Sequence, residues 1–298
     1  MYKNDNFIKE EKRILKPIDG GFAFSIMMAG YFLISFLGGA ILNAFVNKDS
    51  VLYYAIAPLF SALTFFLILL FYNKTAKEKT KEFFSIKRSK PIYFLIVLLF
   101  AFGMLFGFGF FNDLIAKLII NAGGSVSTSS VPLDNFWQLI LFTFALSLVP
   151  AVFEELFFRS FLLGKALKDV KPITAILISA LLFSLYHASA TQLIYQFIYG
   201  IVLGLLFYKT KSVVCPCILH FLNNFLVLLF SYLKINVDFY SPLFIILGIL
   251  AVVSAFILTC FIDRNKEENS TSVKGLFIPY GIFGIAFCIL VIIVNVVA

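Results

Sequence analysis

An all-α bundle of membrane-spanning helices is the fold this sequence predicts, and three observations predict it. Hydrophobic residues occupy 61% of the 298 positions and charged residues only 13%, against roughly 25% charged in an average soluble chain. The apolar residues fall in long runs divided by short basic segments, and the mean hydropathy is +0.99. Such a chain has too little charge to cover a water-facing surface, so the bilayer is its expected solvent.

Crossing the hydrocarbon takes about 20 predominantly apolar residues in a helix. Nine stretches qualify: 21–46, 51–72, 91–111, 136–164, 172–187, 192–208, 212–233, 240–262 and 275–297. The fifth and sixth are the shortest. They divide the chain into a tail (1–20), N-terminal spans with an outer loop (21–135), a central helical group (136–233) and C-terminal spans (234–298). The tail is polar and the first apolar run is too long for the core of a secretory signal. The connection 112–135, rich in Gly, Ser and Thr near its middle, reads as a loop. Gly103 with Gly107, and Gly200 with Gly204, are spaced for close helix approach.

Lys and Arg set the expected orientation. With nine spans and a cytoplasmic N-terminus, 21 of the 24 basic residues, counting Arg159 at the inner end of its span, fall with the tail and alternate connections. The other side holds only Lys48, Lys117 and Lys234, as the positive-inside rule requires. The reading is a multi-pass protein of the cell membrane. The formal charge of +8 lies in short runs between spans and not along one face, so nucleic acid is not an expected partner. Cys215, Cys217, Cys260 and Cys288 lie in or beside apolar segments and do not read as a disulfide framework. Cys215-Pro216-Cys217 reads as a structural feature near a helix start rather than a redox or metal pair.

Charge inside a bilayer costs roughly 2.5–3.5 kcal/mol per residue at a helix centre, so the segment Phe153-Glu154-Glu155-Leu156-Phe157-Phe158-Arg159 needs a reason. Glu155 and Arg159 are four apart and can pair along one helix face, while Glu154 points about 100° away. Glu154 is left without a cationic partner on its own helix, in a setting suited to taking and returning a proton. Both histidines of the chain also lie in apolar segments, His187 four residues after Phe183 and His220 four before Asn224. His220 and Asn224 share a helical face, and Phe183 can wall one side of His187.

Taken in order, Glu-Glu-x-x-x-Arg at 154–159, Phe-x-x-x-His at 183–187 and His-x-x-x-Asn at 220–224 resemble the motifs of the CPBP family. That family groups CAAX-processing prenyl-protein endopeptidases with bacterial bacteriocin-processing and self-immunity (Abi) proteases. The set spans 71 residues, and Ser160 stands where the family usually has Gly. The resemblance implies a catalytic core at 136–233 that hydrolyses a peptide bond with water as nucleophile. Glu154 would be the base, and Glu155 with Arg159 would fix its helix. His187 would orient water or substrate, with Phe183 supporting it, and His220 with Asn224 would stabilise the oxyanion.

The family is often called metalloprotease. Two histidines and a carboxylate match a three-ligand zinc site, so His187, His220 and Glu154 are the candidate ligands, although no His-Glu-x-x-His pattern is present. Zinc is left open here beside a glutamate-activated water. The expected partners are the bilayer and a membrane-associated, leader or prenylated peptide. Two readings from other classes stand beside this one: a proton-coupled transporter, which predicts inverted repeats that this sequence lacks, and a non-catalytic membrane scaffold.

A depth argument closes the reading. Glu154 lies about 16 Å along its helix from Lys165, His220 about 13 Å from Lys211 and His187 about 24 Å from Lys171. The first two place the site in the half nearer the basic connections, with a cavity opening toward them. His187 is too deep for that placement unless the fifth helix starts outside the membrane or 165–172 forms an interfacial turn.

Overall fold

The computed structural model describes residues 12–126, 131–262 and 277–297, and among them there is no strand beyond an isolated bridge between Arg13 and Ala76. The spans are α1 (Pro17–Phe45), α2 (Val51–Thr75), α3 (Ile92–Asn121), α4 (Phe136–Ala166), α5 (Pro172–Tyr186), α6 (Leu193–Thr210), α7 (Val214–Tyr232), α8 (Pro242–Ile262) and α9 (Phe277–Val297). All but α5 are long and apolar enough to cross a membrane. Large apolar side chains stay exposed along the outer helices, among them Phe36 and Ile41 of α1, Leu243 and Leu250 of α8, and Ile282 and Phe283 of α9. Exposure on that scale is stable only against lipid.

Small residues set the closest helix contacts, as their spacing predicts. A Cβ at Gly103 would lie 2.6 Å from Val252 Cγ2, and one at Gly107 would lie 2.8 Å from the carbonyl carbon of Gly248, so α3 and α8 touch backbone to backbone. A Cβ at Gly200 would meet Ala180 Cα at 2.9 Å, which brings α6 against α5. Gly20, Gly21 and Gly284 serve the α1/α9 contact, where Ser25 Oγ also donates to the Tyr280 carbonyl at 2.8 Å.

The basic connections meet on one face. Arg13 N donates to the Thr75 carbonyl at 2.8 Å, and Lys165 Nζ lies 3.5 Å from Glu78 Oε1. Ser212 Oγ donates to the Lys87 carbonyl at 2.6 Å, and Phe277 N donates to Asp169 Oδ2 at 3.1 Å. The opposite face is tied by Asn295 Nδ2 donating to the Ala188 carbonyl at 3.1 Å and by Lys117 Nζ, 4.2 Å above the Tyr240 ring.

Two local features depart from the sequence reading. The connection expected as a loop over 112–135 is helical through Asn121, because Leu114, Ile115, Leu118 and Ile119 repeat at helical spacing after Asp113 in the first turn. The Gly/Ser/Thr-rich stretch that suggested the loop begins only after it, and residues 127–130 lie outside the described set. α4 is not uniformly α-helical: wider π turns occupy Thr143–Leu148 and Leu156–Leu163, on either side of the two glutamates. Such turns recur at functional sites because they re-aim side chains within a continuous helix.

Candidate active site

Glu154, His187, His220 and Asn224 line one cavity of about 590 Å³. Three of the central helices supply them, with His187 in the turn that follows α5. Glu154 and His220 are buried, while His187 and Asn224 are partly open. The helix-face argument holds for the neighbouring pair: Arg159 Nε lies 3.1 Å from Glu155 Oε2, and both side chains are fully withdrawn from solvent. Arg159 is held further by Nη2 donating to the Gly200 carbonyl at 3.4 Å and by its guanidinium 4.2 Å from the centroid of the Phe183 ring.

Glu155 also fixes His220, whose Nδ1 lies 2.8 Å from Glu155 Oε1. A carboxylate only accepts, so Nδ1 carries a proton and the ring is turned with Nε2 toward Glu154, 3.9 Å from Oε2. His187 is fixed in a similar way, with Nδ1 2.8 Å from the Phe183 carbonyl. That carbonyl also only accepts, so a neutral His187 presents Nε2 as an acceptor. Phe183 stands edge-on to both rings, 4.8 Å from His187 and 5.7 Å from His220 between centroids. It therefore walls both histidines and the arginine, a wider role than its spacing alone indicated.

Asn224 Nδ2 donates to the Leu146 carbonyl at 3.3 Å. That carbonyl is free of its usual helical partner because Pro150, four residues on, has no N–H to give. The proline of α4 thus creates the acceptor that steadies a residue of α7. Ser160, the departure from the family pattern, donates to the Phe84 carbonyl at 2.7 Å and fits without displacing a motif residue.

Several cavity residues lie outside the motifs: Asn112, Gln192, Tyr195, Gln196 and Asn223. Tyr195 donates to Asn223 Oδ1 at 2.6 Å, and Asn223 Nδ2 lies 3.4 Å from Asn224 Oδ1. The sequence carried a signal for them: polar side chains recur on the apolar α6, and Asn223 adjoins a motif residue.

The cavity opens on the face opposite the basic connections, which corrects the expected direction. Its lining includes Gly109, Asn112, Asp113, Gln192 and Phe239, all at that end, and no residue of the basic connections. Helix length is the cause. With 15 residues, α5 rises about 22 Å from the basic face, short of the ~30 Å of hydrocarbon. The turn that follows α5 carries His187 into the cavity wall. The depth of His187 thus needs neither a displaced fifth helix nor an interfacial turn at 165–172.

The candidate zinc ligands Glu154, His187 and His220 share the cavity without forming a three-ligand group. No group of three His, Cys, Asp or Glu side chains able to hold a metal occurs among the described residues. All four cysteines are free thiols.

Fold and site together define a multi-pass membrane protein with a polar chamber within its spanning region. Residues 136–226 match the family model described as type II CAAX prenyl endopeptidase Rce1-like. The chain is also 26% identical over 189 residues to the membrane-embedded CAAX protease MroQ of Staphylococcus aureus (strain USA300), covering 60% of this chain and 76% of that protein. No solved structure matches. With the three motifs in order, these matches make the central segment of the chain similar to CPBP/CAAX-family proteins, and that similarity supports a membrane endopeptidase.

Proposed function

We propose that this protein is an intramembrane endopeptidase that cleaves a membrane-associated or leader peptide with a water activated by Glu154. The observation that carries this reading is the gap of 3.9 Å between Glu154 Oε2 and His220 Nε2. It is too long for a direct hydrogen bond, which leaves Glu154 Oε2 an unpaired acceptor beside the cavity. In the proposed step the water oxygen bonds to the scissile carbonyl carbon while Glu154 takes its proton. Collapse of the tetrahedral intermediate breaks the C–N bond, and Glu154 returns that proton to the leaving amine.

His187 Nε2 accepts from the water and orients it. His220, held through Nδ1 by Glu155, faces the oxyanion with its Nε2 edge. Asn224 has one N–H engaged by Leu146 and turns the other to the same oxygen. Glu155, Arg159 and Phe183 position these groups without touching substrate. No step is routed through a metal, since the donor set does not assemble for one.

The central segment 136–233 is the proposed catalytic core. With the basic connections cytoplasmic, the N-terminus is inside and the cavity faces the outer side, which favours a leader or membrane-attached peptide presented there. The test is cleavage of a quenched-fluorescent peptide pool, with and without a farnesylated cysteine, by detergent-purified wild type and Glu154→Gln, each with and without a chelator. Cleavage by the wild type alone, unchanged by the chelator, is expected. Equal cleavage by Glu154→Gln overturns the reading, and loss with the chelator replaces the glutamate-only mechanism with a metal-dependent one.

A further inference from the structure

Three residues that line the cavity each hold a buried side-chain oxygen that accepts no hydrogen bond from the protein: Glu154 Oε2, Asn112 Oδ1 and Gln196 Oε1. Leaving such a group unsatisfied is costly, and native structures hold few of them. Three in one chamber call for N–H or O–H donors from whatever occupies it. Glu154 belongs to the chemistry proposed above. Asn112 and Gln196 belong to none of the three motifs.

The two carboxamides come from different elements. Asn112 lies just past the break at Gly109 in the second half of α3, and Gln196 lies in the first turn of α6. These elements pack together at the open end of the cavity. A carboxamide presents an acceptor on one side and two donors on the other. An extended main chain offers N–H and C=O groups in alternation, whereas a lipid tail offers neither. Two carboxamides from separate walls, opening onto Glu154, suit a peptide backbone entering from that end.

We propose that Asn112 and Gln196 are substrate-binding residues that hydrogen-bond the peptide main chain beside the scissile bond. This rests on the endopeptidase reading and names what holds the substrate in register. Side-chain selection is then left to the apolar remainder of the wall, and the enzyme tolerates varied sequences around the cleaved bond.

The probe is the fastest-cleaved peptide of the pool, together with esters of it that replace one backbone N–H at a time near the scissile bond. Asn112→Leu and Gln196→Met keep side-chain size and remove the carboxamide, and Asn112→Ala runs in parallel in case leucine does not fit. Each variant is expected to lower kcat/KM about tenfold per lost hydrogen bond. The wild type loses a similar factor toward one particular ester, and the matching variant shows no further loss toward it. Variants that cleave like the wild type, or losses that multiply at every ester position, overturn this proposal while active wild type and inactive Glu154→Gln leave the endopeptidase reading standing. If the wild type cleaves no peptide of the pool, both readings fall together.

Discussion

Neutralising one partner of the Glu155–Arg159 pair is expected to destabilise the protein far more than neutralising both. The Nε–Oε2 separation is 3.1 Å and neither side chain reaches solvent. At an effective dielectric of about 20, two unit charges at that distance attract by about 5 kcal/mol. Desolvation offsets much of this in the intact pair. A charge left alone keeps its desolvation cost and loses the attraction, so one-sided removal costs about 3–5 kcal/mol. Arg159 Nε and Nη1 form no well-aligned hydrogen bond, which makes charge the main contribution of Glu155 to holding the guanidinium. Arg159→Met, Glu155→Gln and the double variant form the cycle. Cys215 and Cys288 are buried free thiols, so a thiol-reactive dye follows unfolding in detergent. The double variant should be less destabilised than either single variant, so it is more stable than the sum of the two single losses by more than about 3 kcal/mol. Additive losses would refute the reasoning, and so would single variants that unfold with the wild type.

Gly248→Leu is expected to destabilise by at least about 1–3 kcal/mol through overpacking against α3, because any Cβ there overlaps the Gly107 backbone. Gly39→Ala, where nothing lies within 4 Å, should unfold at or slightly above the wild-type midpoint in the same dye assay. Tyr195→Phe leaves Asn223 Oδ1 without its 2.6 Å donor and should cost about 1–3 kcal/mol. It should also lower kcat more than it changes KM, because Asn223 steadies Asn224. In a background without native cysteines, Gln192→Cys should react with an impermeant thiol reagent added outside intact cells and Lys87→Cys should not; the reverse pattern would invert the proposed orientation.

The spans were legible because a bilayer demands an unbroken apolar length, and only composition is needed to find it. The Glu155–Arg159 pair was legible because it depends on spacing within one helix. Pairing of Glu155 with His220, 65 residues away, was not, since helix periodicity says nothing about which faces of α4 and α7 meet. Asn112, Tyr195 and Gln196 were missed for a related reason. Each is a polar residue on a largely apolar helix, and whether it faces lipid, a neighbour or a chamber is decided by tertiary packing. The direction of the cavity was misjudged because distance along a helix was measured from its basic end. That measure places an atom in depth and leaves open which end of the bundle has room for water.

Room for water follows from unequal helix lengths. α7 has 19 residues and α4 spans 31, while the neighbouring α5 and α6 have 15 and 18. The close contact at Gly200 and Ala180 locks the short α5 to α6. The Gly200 carbonyl beside that contact accepts from Arg159, and Arg159 holds Glu155, which in turn aims His220. One glycine thus sets both the packing of α5 on α6 and the acceptor at the base of the polar chain. Gly200→Val should push α6 from α5 and disturb the arginine together, lowering stability and cleavage in the same variant. A Gly200→Val protein that loses stability by dye labelling yet cleaves peptide at the wild-type rate would separate the two and break this link between packing and site.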